Sequence, residues 1–127
     1  MSDGEPFWNV LDALVAASEV VVERPAGSPH PRYPDSTYPL DYGCLRGTRS
    51  GDGADIDVFV GRPGARDVTG IVATVDAVKR DAEVKVLLGC TPAQADAVRA
   101  FLDWLGSFGG VVTVSYTHLR AHETRHD

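Results

Sequence analysis

The stretch Asp52-Gly53-Ala54-Asp55-Ile56-Asp57-Val58-Phe59-Val60 passes from a turn into a strand. Gly51 and Gly53 loosen the backbone at its start. From Asp55 to Val60 polar and apolar residues alternate, the period of a half-buried strand. That period puts Asp55 and Asp57 on one face, and Asp52 can curl in over Gly53. Three carboxylates this close repel one another unless a cation compensates them. Hard oxygen donors suit Mg²⁺, with Mn²⁺ as the alternative.

The flanks set this strand in a mixed fold. Val20-Val21-Val22 is a short β-branched strand, Val68 to Val75 and Glu83 to Leu88 read as two more, and Val111 to Val114 as a last one. Pro6 to Glu19 predicts a helix, with Phe7, Trp8, Leu11, Leu14 and Val15 as its apolar stripe. Thr91-Pro92-Ala93-Gln94 is a capping box opening a second helix, whose apolar face is Val98, Phe101, Leu102 and Leu105. Five prolines between residues 25 and 39 exclude a helix or a central strand there. Gly43 to Gly53 is expected to form turns. The fold class is α+β: a small OB-like, mostly antiparallel sheet or barrel between an N-terminal and a C-terminal helix.

A chain of 127 residues holds one domain, assigned to residues 1–114. The net charge of −6 argues against a nucleic-acid partner. No apolar run approaches the ~18 residues of a membrane span, so no membrane partner is expected. The acidic start, Met1-Ser2-Asp3-Gly4-Glu5, lacks the basic opening of a signal peptide, and a cytoplasmic location is expected. Cys44 and Cys90 form no C-x-x-C pair and are expected to be idle thiols. A homo-oligomer is compatible with all of this. His30 is expected to be a loop residue without a role.

His122-Glu123-Thr124-Arg125-His126 matches the zinc-protease pattern H-E-x-x-H. It needs a third ligand, and His118 at i, i+4, i+8 spreads the donors too far for one ion. The segment Val114 to Asp127 resembles a translated sequencing-adapter sequence. Residues 115–127 are therefore set aside as a non-native or disordered tail.

Further residues extend the acidic stretch into a candidate site. Asp81-Ala82-Glu83-Val84-Lys85 adds acids and a lysine, with Glu83 and Lys85 on one strand face. Arg32 lies in the proline-rich loop, and Tyr38-Pro39-Leu40-Asp41-Tyr42-Gly43 follows it. Carboxylates, cations and phenols together are what metal-assisted phosphoryl chemistry uses.

These residues, in this order, resemble soluble inorganic pyrophosphatases, the Mg²⁺-dependent family with an OB-like barrel. Glu23-Arg24-Pro25 resembles the family's E-I-P, Arg32-Tyr33 its K-Y, and Tyr38 to Gly43 its Y-P-x-N-Y-G. Asp52 to Asp57 resembles D-G-D-P-x-D, and Glu83-Val84-Lys85 resembles D-x-K. The resemblance covers roughly residues 20–90 and describes a shortened, divergent member. It implies Mg²⁺-dependent hydrolysis of pyrophosphate to two phosphates. It implies Asp52, Asp57 and Glu83 as Mg²⁺ ligands, with Glu23 acting through a water. Arg32, Tyr42 and Lys85 would hold phosphate oxygens, of pyrophosphate or another phosphate ligand. Ala54 stands where the signature has an acid, and Asp55, one place later, is the candidate replacement beside Lys85 as a catalytic group. The alternative is a catalytically impaired metal- and phosphate-binding domain of the same ancestry.

Overall fold

A computed structural model of the chain describes residues 4–105 and 109–116. Its order is α1 (Glu5–Ala16), β1 (Glu19–Arg24), β2 (Asp41–Arg46), β3 (Ile56–Val60), β4 (Val68–Asp76), β5 (Asp81–Leu88), α2 (Pro92–Leu105) and β6 (Gly109–Ser115). The six strands form one mixed sheet in the order β1-β2-β3-β5-β4-β6. Every neighbouring pair is antiparallel except β3 and β5, which run parallel. The expected α+β architecture, a small sheet with an N-terminal and a C-terminal helix, is the one observed, with β6 following the second helix.

Alternation along the strands gives the sheet two faces, and each is covered. On one face Leu45, Val58, Val60, Val86 and Leu88 pack against Trp8 and Val15 of α1. On the other, Phe59, Val72 and Leu87 pack against Val98 of α2 and against Tyr38 and Leu40. The proline-rich segment therefore contributes core residues and folds over the same face as α2. It is pinned by a bridge between Pro29 and Thr37.

The second helix follows its sequence signal closely. Thr91 and Gln94 complete the capping box reciprocally: the Thr91 N–H donates to Gln94 Oε1 at 2.9 Å, and the Gln94 N–H to Thr91 Oγ1 at 3.1 Å. The stripe on α1 is narrower than expected, because Phe7 and Leu14 are 49% and 36% exposed while Trp8 and Val15 are buried. α1 also ends earlier, at Ala16, where Arg66 closes it. The Arg66 guanidinium donates to the carbonyls of Val15 at 2.7 Å and Ser18 at 2.6 Å, placing a cation at the negative end of the helix.

A further expectation fails at Gly43. Gly43 belongs to a strand, not to turns, since β2 runs from Asp41 to Arg46 between β1 and β3. The glycine is what admits the strand: a Cβ at Gly43 would overlap the Val21 carbonyl of β1. It marks a close backbone approach. The strand boundaries otherwise shift by one or two residues. Ser115 ends β6, and Tyr116 is buried, stacked on Trp8 with ring centroids 4.5 Å apart, so the sheet runs past the boundary drawn at residue 114. Residues 117–127, with the H-E-x-x-H segment, lie outside the described residues. No helix among the described residues is long and apolar enough to cross a membrane.

Gly43→Ala is expected to lower unfolding stability by about 1–3 kcal/mol, the usual range for overpacking. Chemical denaturation checks this, and a variant as stable as the parent would show that β1 is free to move away.

Candidate active site

The parallel pair β3 and β5 builds the centre of the site. Val58 lies opposite Val86 and Phe59 opposite Leu87, so Asp57 and Lys85 precede these pairs side by side. They share a face with Phe59 and Leu87, the apolar floor under α2. Lys85 is only 8% exposed, an unusual place for an ammonium. It is compensated there: Nζ lies 2.7 Å from Asp57 Oδ2 and 3.8 Å from Glu83 Oε1. Glu83 is two residues back on β5 and so returns to the same face.

β2 contributes the third wall. Tyr42 lies opposite Phe59 in register and brings its ring to 5.9 Å from Lys85 Nζ. An ammonium over an aromatic face is attracted by the ring quadrupole. Burial, and after it the charge of Asp57 and a hydrogen bond to that carboxylate, push the Tyr42 phenol far above its ordinary value. The phenol therefore keeps its proton. Asp57, Glu83, Lys85 and Tyr42 thus converge on one rim of the sheet, where strand alternation placed the acids and the lysine.

The remaining predicted residues are not all gathered there. Asp55 sits just before β3 and accepts a weak hydrogen bond from Cys44 Sγ at 3.8 Å. Cys44 pairs with Asp57 across β2 and β3, so both aspartates border this thiol, as shared facing requires. Burial raises the Cys44 thiol pKa, and the charges of Glu23, Asp55 and Asp57 raise it further. Glu23 occupies the irregularity in β1 between Val22 and Arg24 and is exposed. Asp52 is exposed at the loop tip, where its Oδ1 accepts the Ala54 N–H at 3.0 Å. The loop tip is closed by the aspartate itself, an Asx turn. Arg32 is exposed on the proline-rich loop, its N–H donating to His30 Nδ1 at 3.0 Å.

Two residues escaped sequence reasoning. His30 accepts backbone N–H groups from both Arg32 and Tyr33 at Nδ1, and its ring packs against Tyr38 at 5.8 Å. It shapes the proline-rich loop. Arg24 lies opposite Tyr42 across β1 and β2, and its charge acts on both His30 and Tyr38. Burial, then Arg24 and Arg32, lowers the His30 pKa below the usual imidazole value. The sequence signal for His30 was its place among prolines with Tyr33 and Tyr38 near, which marks a packed loop rather than a solvated one.

The donor set can be tested against a divalent cation. Among the described residues no three His, Cys, Asp or Glu side chains form a metal-holding group. A cation caged wholly by protein does not fit. Mg²⁺ usually retains several waters and takes one or two carboxylates together with phosphate oxygens. Asp57 and Glu83 fit that smaller demand.

No family pattern matches this sequence. No curated protein matches it either. Solved structures do. The chain is 18% identical to an inorganic pyrophosphatase from Coxiella burnetii, over 76% of this chain and 82% of that one, with a TM-score of 0.51. One from Helicobacter pylori is 17% identical over 76% and 81%, with a TM-score of 0.52. One from Neisseria gonorrhoeae is 18% identical over 80% and 84%, with a TM-score of 0.53. The fold is pyrophosphatase-like.

Asp57→Asn leaves Lys85 with only the more distant Glu83, and is expected to cost about 1–3 kcal/mol. This is less than for a fully buried pair, because Asp57 is partly exposed and screened. Denaturation of Asp57→Asn, Lys85→Met and the double variant measures the coupling; strict additivity would refute it. The depressed His30 pKa means that unfolding takes up a proton near pH 6.5. The His30 contribution is therefore present above about pH 6.5 and lost as pH falls towards the lower folded value. Stability of the parent should fall faster than that of His30→Gln between about pH 7 and pH 5.5; parallel curves would contradict this.

Proposed function

We propose that the chain hydrolyses inorganic pyrophosphate to two phosphates with Mg²⁺. The convergence of Asp57, Glu83, Lys85 and Tyr42 on one sheet rim of a pyrophosphatase-like fold carries this reading. These positions are also those that resemble the ligand and phosphate-binding residues of the pyrophosphatases.

Each side chain has work suited to its setting. Asp57 and Glu83 offer oxygen donors to the cation, and Mn²⁺ would be accepted by the same chemistry. When bound, the ion supplies charge neutralisation for the phosphates and acidifies a water. Lys85 then gains a phosphate oxygen in place of a carboxylate. Its ammonium keeps three donors pointed into a rim with little competing solvent, which strengthens each contact. Tyr42, held protonated, donates its phenolic hydrogen to a second oxygen. Asp55 is the remaining base for an attacking water, with Glu23 and Asp52 as outer acids and Arg32 as an outer cation.

A second reading, binding of cation and phosphate without turnover, draws on two observations. Ala54 stands at the signature's acid position, and Asp55 is engaged with Cys44. Phosphate release from pyrophosphate in Mg²⁺ separates the two. Under the first reading, Asp57→Ala and Lys85→Ala each lower the rate by on the order of 10²-fold. Equal release by parent and Asp57→Ala would sink the hydrolase; pyrophosphate binding with no release would leave the second reading.

A further inference from the structure

The aromatic rings at the site do not end with Tyr42. Tyr42 stacks on Tyr38 with centroids 5.0 Å apart, and Tyr38 stacks on His30 at 5.8 Å. His30 meets Tyr33 at 5.4 Å, and Tyr33 meets the Trp104 ring edge-on at 6.3 Å. The inner end is buried, with Tyr38 only 6% exposed. The outer end is open: Tyr33 and Trp104 are 43% and 64% exposed. Core packing accounts for Tyr38 and Phe101, but not for two large rings presented to solvent from the loop and from α2.

Positive charge accompanies these rings. Lys85 stands at the inner end, Arg24 lies across the strand pair from Tyr42, and Arg32 is next to Tyr33. Between residues 24 and 39 the segment carries two arginines and one acid, Asp35, in a chain whose net charge is −6; Asp41 follows the segment and Asp103 precedes Trp104. Bare pyrophosphate would engage only the inner end. A ligand matching the whole feature needs an anionic chain joined to a planar ring.

We propose that Tyr33 and Trp104 form a base-stacking subsite, and that the site takes a phosphoanhydride carried on a nucleoside, a nucleoside di- or triphosphate. This rests on the phosphate-site reading above and adds to it the second half of the ligand. Stacking suits the pair because every base has a π-face, and arginine adds a cation–π contribution.

The test is a titration of the full chain with ADP and with pyrophosphate, both with Mg²⁺, followed by calorimetry and tryptophan fluorescence. ADP is expected to bind about tenfold more tightly than pyrophosphate, the scale of one base–aromatic stack. ADP should also quench Trp104, leaving a signal from Trp8, which is buried in the other core. The double variant Tyr33→Ala, Trp104→Ala should lose the ADP advantage, and Tyr33→Phe, which keeps the ring, should retain it. Pyrophosphate binding as tight as ADP in the parent, or an advantage surviving in the double variant, overturns the subsite and leaves the phosphate site standing. Failure of both ligands to bind overturns the phosphate site and the subsite together.

Discussion

A lysine ammonium placed on the apolar face of a sheet is the constraint around which this site is arranged. Lys85 cannot be left there alone, since an isolated buried charge is far costlier than a paired one. Its partner comes from another strand: Asp57 reaches it because β3 and β5 run parallel and in a register that sets Val58 beside Val86. Slip that register by one residue and Asp57 turns to the α1 face while Lys85 stays. The ion pair, the floor of Phe59 and Leu87, and the position of Tyr42 are therefore a single arrangement. The parallel pair is also the one departure from an antiparallel sheet, and it is where the charged side chains Asp57, Glu83 and Lys85 gather.

The rim is closed by elements that belong to no regular structure in sequence terms. The proline-rich segment places Tyr38 and Leu40 in the core under α2, and His30 fixes its turn by accepting two backbone N–H groups. This converts a segment without strand or helix into a wall of the site. A neutral His30 is required for both bonds, which links the wall to protonation rather than to packing alone. Arg24, brought opposite Tyr42 by the β1–β2 pairing, gives that wall a positive edge.

Much of the fold was legible because the signals were local. The capping box at Thr91 and Gln94, the density of prolines after Arg24 and the β-branched strands each depend on residues within a few positions of one another. β2 was not legible, because Gly43 gives a turn signal by itself. Its reason lies on another strand, in the Val21 carbonyl that leaves no room for a Cβ. The cap on α1 was hidden for the same reason, since Arg66 is far away in sequence.

The candidate site divides along the same line. Strand periodicity alone determined that Asp55 and Asp57 share a face, and that Glu83 and Lys85 do. It could not determine that these two pairs meet, which requires the order of strands in the sheet. Nor could it tell Asp57, drawn in beside Lys85, from Asp52, whose carboxylate is spent on the Ala54 N–H at an exposed loop tip. Three acids within six residues look equivalent along a chain. Only tertiary structure sorts them, because burial and the nearest opposite charge are set by residues that the chain brings back from elsewhere.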